Sequence, residues 1–96
     1  MPSSGFEHLG HLIEDLIRSF GLERKVKENQ VIVRWPEIVG PRIAERATPE
    51  RVEAGKLFVR VRSATWRSEL FLLKPRIIEK IDSEIGRGII NDIVMI

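Results

Sequence analysis

"ERVEAGKLFVRVRS", residues 50–63, decides the fold. Leu57, Val59 and Val61 alternate with Phe58, Arg60 and Arg62, and a strand sends successive side chains to opposite faces. One face is therefore aliphatic and bound for a core, while the other offers a phenylalanine and two arginines. "RVEA" at 51–54 reads as a short partner strand, with Gly55 and Lys56 supplying the turn of a hairpin.

Downstream, "WRSELFLLKPRIIEKI", residues 66–81, changes the period from that of a strand to that of a helix. Trp66, Leu70, Leu73, Ile77 and Ile81 step by four, three, four and four, which is one face of an amphipathic helix. Thr65 is positioned to cap it, and Glu69 falls in the first turn, where a carboxylate meets the positive end of the helix dipole. Pro75 lacks a backbone donor and crowds residue 71, so two helices in near sequence or one bent helix are predicted. "GRG" at 86–88 ends this segment, and the β-branched "IINDIVMI" at 89–96 reads as a closing strand.

Upstream of the hairpin the reading is helical. Leu9, Leu12, Ile13, Leu16, Ile17 and Phe20 recur at steps of three and four, predicting an amphipathic helix over about 6–20 that Gly21 ends. "LERKVKENQVIVRW" from Leu22 is ambiguous at "VIV", yet its charge-rich first half offers no alternation and favours helix. In "WPEIVGPRIAERATP", Pro36 suits a first helical position. Pro41 cannot donate to the Glu37 carbonyl, so the helix is kinked there or begins as a short separate turn, and Pro49 stops it. The resulting order is α-α-α-β-β-α-α-β, an α+β domain whose three-stranded sheet packs on helices.

Ninety-six residues with 43% hydrophobic content suffice for one core, so 6–96 is expected to be a single domain behind a loose start at 1–5. No cysteine is present, which excludes disulfides, thiolate nucleophiles and Cys-based zinc sites. The longest apolar run, "LFLL" at 70–73, is far below the roughly 20 residues that span a bilayer. "MPSSGFEHLG" has neither the basic start nor the apolar stretch of a signal peptide, so a soluble cytoplasmic protein with no membrane partner is expected.

Catalytic constellations are hard to find. There is no glycine-rich phosphate loop ending in Lys and Ser or Thr, hence no P-loop ATPase. His8, His11 and Asp15 lie along one helix, but no downstream His or Cys completes a metal site. Ser63, Thr65 and Ser68 have no nearby histidine to activate them. The reading is of a protein that is not an enzyme, with no cofactor, metal or small-molecule substrate.

Charge is more informative than net charge, which is only +2. Between Lys56 and Arg76 stand Lys56, Arg60, Arg62, Arg67, Lys74 and Arg76 against Glu69 alone, whereas acids dominate beyond Ile77. Such a basic region points to phosphate. Phe58, beside Arg60 and Arg62, is available to stack on a base if that sheet face is open, and is covered if a helix lies there. Trp66 reads as a core anchor. Trp35 reads either as core or, with Arg42 and Arg46 of "PRIAERA", as a contact for a protein partner. Five phosphate contacts by Arg60, Arg62, Arg67, Lys74 and Arg76 would give a salt slope of about −3.5 on single strands.

Trp35, Gly40, Gly55, Leu57, Val59, Val61, Ser63, Trp66, Leu70 and Lys74, in this order and spacing, resemble the DciA family. The likeness runs from about Leu9 over nearly the whole chain. It implies a K-homology-like (KH-like, type II-like) fold. It also implies a non-ATPase accessory role with the replicative hexameric helicase at bacterial replication initiation, with binding to DNA, expected to be single-stranded. Nucleic-acid-binding KH domains clamp the backbone with a G-x-x-G loop between paired helices; the corresponding break here is "LLKPRI", with Lys74 and Arg76 in place of glycines. A protein-interaction module that does not bind DNA, and a KH-like RNA binder, are the alternative readings.

Overall fold

In the computed structural model, which describes residues 4–96, the elements are α1 (Ser4–Ser19), α2 (Glu23–Val33), α3 (Trp35–Val39), α4 (Pro41–Ala44), β1 (Ala47–Glu53), β2 (Lys56–Val61), α5 (Ala64–Glu84) and β3 (Asp92–Met95). The fold is mixed α and β, with five helices and a three-stranded sheet in the expected order. Of the loose start expected at 1–5, residues 1–3 lie outside the described residues, and α1 already includes Ser4 and Gly5.

β2 is the central strand. It pairs antiparallel with β1, Ala47 opposite Val61 and Glu53 opposite Lys56, and parallel with β3, Lys56 opposite Asp92 and Val59 opposite Met95. A parallel partner needs a crossover, and α5 provides it. The hairpin turn is made by Ala54 and Gly55, both at positive φ (51° and 77°), rather than by Gly55 and Lys56. Two successive left-handed residues match the twist of the flanking strands, which frees Lys56 to begin β2. β1 also starts earlier than "RVEA", at Ala47, so the residues before Pro49 are strand and not the end of a helix.

The third helical stretch breaks where Pro41 demands it. Gly40, at φ 88°, separates α3 from α4 while its amide still donates to the Pro36 carbonyl across 2.9 Å. α5, by contrast, runs unbroken through Pro75. Pro75 costs the helix one bond to the Phe71 carbonyl, and Phe71 is on the exposed side, where water can take that acceptor. The cap of α5 is Ser63, not Thr65: β2 ends at Val61, so Ser63 is the last extended residue, and its Oγ accepts from the Trp66 amide at 3.3 Å. That places Glu69 beyond the first turn.

One apolar cluster holds these elements together. Leu57, Val59 and Val61 are fully buried against Val31, Trp35, Ile38, Ala47, Leu70, Ile77, Ile81, Ile89, Ile90 and Ile93, with Trp66 and Leu73 partly buried beside them. α2, α3 and α5 supply its buried helical residues and α4 packs Ile43 and Ala44 against it, so these helices lie on the aliphatic face of β2. α1 contributes nothing to the cluster, and the molecule measures 54 × 26 × 20 Å.

Candidate nucleic-acid interface

Because the helices cover one face of the sheet, the alternate residues of the strands are left to solvent. The register brings Thr48 opposite Arg60, Arg51 opposite Phe58, and Glu53 opposite Lys56 on this open face, with Val94 beside Phe58 on the other side. Lys56, Arg60 and Arg62 are exposed and Phe58 is half-buried. The pairing slips between Pro49 and Arg51, so Glu50 is an extra residue on β1, and its carboxylate accepts from the Arg60 Nε. That bond holds the Glu50 carboxyl below its ordinary range and raises the Arg60 guanidinium above its own.

Three arginines converge at one end of this face. Arg46, from the turn after α4, joins Arg60 and Arg62 around a cleft of about 410 Å³ whose remaining lining is Glu45, Thr48 and Ser63. By its place in "PRIAERA" Arg46 reads as part of a protein-partner surface. The cleft it lines with Arg60 and Arg62, just before the start of β1, brings it beside the strand arginines. Phe58 is less free than its alternation suggests, since the Arg51 guanidinium carbon sits 4.2 Å from its ring centroid and covers one ring face.

The helix cations do not join this face. The Arg67 Nε donates to the Val61 carbonyl at 2.8 Å, tying the start of α5 to the end of β2. Lys74 lies 3.0 Å from an Asp92 carboxylate oxygen and 5.2 Å from the Phe71 ring centroid. The Lys74 ammonium, followed by the Ile93 amide at 2.8 Å, holds the Asp92 carboxyl below its ordinary range. Arg76 is exposed on α5 beside Glu79, Lys80 and Ser83. The six-residue basic run from Lys56 to Arg76 thus divides between the open sheet face and the helix packed behind the sheet. Since α5 is continuous, Lys74 and Arg76 are not on a loop where a KH clamp would sit.

Trp35 is core. It is 1% exposed and its indole N–H donates to the Ala47 carbonyl at 2.9 Å, so no partner can reach it. The accessible tryptophan is Trp66, half-buried in a groove with Val39, Arg42, Ile43, Thr65, Glu69 and Leu73, the Arg42 guanidinium carbon 5.8 Å from its ring centroid. Among the described residues no group of three or more His, Cys, Asp or Glu could hold a metal ion, and no helix is long and apolar enough to cross a membrane.

A small α+β domain with one covered sheet face and one open face carrying an arginine cleft is the class these features define. The chain belongs to the DciA family, "Dna[CI] antecedent, DciA", whose family model matches residues 8–95. Among curated relatives it is similar to a UPF0232 protein of Mycolicibacterium smegmatis, 33% identical over 88 residues, 92% of this chain and 45% of the relative. A UPF0232 protein of Streptomyces coelicolor is 37% identical over 82 residues, 83% of this chain and 43% of the relative. One of Mycobacterium ulcerans is 32% identical over 85 residues, 88% of this chain and 46% of the relative. The chain thus spans a little under half the length of the curated relatives it matches.

Proposed function

We propose that the chain is a non-enzymatic accessory domain that binds single-stranded DNA through its open sheet face and works with the replicative helicase in the bacterial cytoplasm. The observation that carries this reading is the convergence of Arg46, Arg60 and Arg62 on one cleft. Guanidinium groups form forked, charge-assisted bonds to phosphate oxygens, and three around one concavity suit successive phosphates of a strand. The helicase role rests on family membership.

Arg46, Lys56, Arg60 and Arg62 make four contacts, Arg51 being stacked on Phe58 and paired with Glu53 at 3.2 Å, so the salt slope on single strands is about −2.8, shallower than for five contacts. Titration of labelled single-stranded DNA over a salt series tests this. Arg60→Ala with Arg62→Ala should abolish binding at moderate salt, whereas Arg76→Ala should leave the slope unchanged. Equal loss from Arg76→Ala would move the contact to α5, and RNA preferred over DNA of the same sequence would favour the RNA reading.

A protein-interaction module is the second reading, and the groove between Trp66, Arg42 and Leu73 favours it. Helicase retained on the domain by a variant that no longer binds DNA would support that surface.

A further inference from the structure

The sheet face leaves α1 unexplained. Phe6, Leu9, Leu12, Ile13, Leu16 and Phe20 are 87%, 52%, 50%, 49%, 47% and 71% exposed, and none joins the core cluster. An isolated helix of this length is marginal in water, and Gly10 in its interior weakens it by about 1 kcal/mol. A helix so placed needs something to lie on its apolar stripe.

We propose that this stripe pairs with the same stripe of a second copy of the chain, making α1 a self-association helix. Three observations single out that occupant. Phe6, Leu9, Ile13, Leu16 and Phe20 step by three, four, three and four, the spacing of a two-helix seam, which Leu12 and Ile17 widen on its two sides. The positions flanking that seam are Gly5, Gly10, Leu12, Ile17 and Ser19, small or apolar, while Glu7, His8, His11, Glu14, Asp15 and Arg18 all fall on the outward side. The contact face therefore bears no charge with which to select an acidic or a basic partner, and a copy of itself meets no like charge. The area also fits, since six such side chains present on the order of 600 Å² per chain against about 800 Å² per partner in a standard interface. Two-fold pairing makes one patch serve both copies.

Sedimentation equilibrium of the full chain from micromolar to about 100 µM tests the proposal, a range that captures weak and moderate dimers. The mass is expected to rise with concentration from 11.1 kDa toward twice that value. Ile13→Glu with Leu16→Glu should hold it at the monomer value without lowering the thermal midpoint of the core. Arg60→Ala with Arg62→Ala should dimerise like the parent, so loss of DNA binding and loss of pairing are read separately. A parent that stays monomeric throughout overturns the proposal, as does a glutamate variant that still dimerises.

Discussion

The indole N–H of Trp35 reaches across 2.9 Å to the carbonyl of Ala47, joining the start of α3 to the first residue of β1 at the centre of the core. Trp35→Phe should cost about 1–3 kcal/mol, because the hydrogen bond is lost where both groups are buried. Trp35→Ala should cost about 3–5 kcal/mol through the cavity it leaves. Urea unfolding measures both. A loss of partner binding without any loss of stability would contradict the structural role.

The hairpin turn is suboptimal at one position and tight at the next. Ala54 adopts φ 51°, which a β-carbon disfavours, so Ala54→Asn or Ala54→Gly should stabilise by up to about 1 kcal/mol. Gly55 disfavours a side chain chiefly through its φ of 77°; an added Cβ would also lie 2.5 Å from the Asn91 side-chain nitrogen, which would have to swing aside, while the Gly55 carbonyl accepts from the Asn91 backbone amide at 2.7 Å. Gly55→Ala should therefore destabilise by more than about 1 kcal/mol, combining positive φ with the clash. Thermal melts of the three variants should rank Ala54→Asn above the parent and Gly55→Ala lowest.

The Lys74–Asp92 pair makes part of the stability depend on pH. Asp92 has a lowered carboxyl in the folded chain, so its contribution is present above the ordinary carboxylate range and fades as pH falls through the depressed value. Lys74→Met should lower the melting temperature at neutral pH, and the gap to the parent should close on acidification below about pH 4. A gap independent of pH would mean that Lys74 acts by packing alone.

Glu50 sits among the cations of the open face. Glu50→Gln removes a carboxylate that occupies Arg60 and repels phosphate, so single-stranded DNA should bind several-fold more tightly, with the slope kept at about −2.8 because Arg60 is already one of the four contacts. Unchanged affinity would argue that Arg60 makes no phosphate contact.

Much of this fold can be read locally, and the reasons are visible in particular residues. Leu57, Val59 and Val61 alternate because one face of β2 is covered, and Leu70, Ile77 and Ile81 keep helical step because α5 lies on that face. What local pattern could not carry was long-range. Ser63 and Thr65 are equally able to cap, and the choice depends on where β2 stops pairing. Trp35 is buried because Ala47, twelve residues away, supplies its acceptor. The arginine cleft arises where the turn before β1 meets the end of β2, and the packing of α5 separates Arg67, Lys74 and Arg76 from Arg60. The α1 stripe was legible as an amphipathic helix, but that the core leaves it uncovered is visible only in the structure.

The parallel pairing of β3 with β2 has a consequence for misfolding. The hairpin is local and closes in microseconds, whereas β3 can dock only after α5 has returned the chain across the sheet. β3 is also short, from Asp92 to Met95, so it is the strand most easily shed. Whenever it detaches, the central strand offers the unpaired backbone of residues 56–59 beside Leu57 and Val59, a bare template for edge-to-edge aggregation. Lys56 at one end of that edge, with Arg60 just beyond the other, is the charge that opposes such stacking.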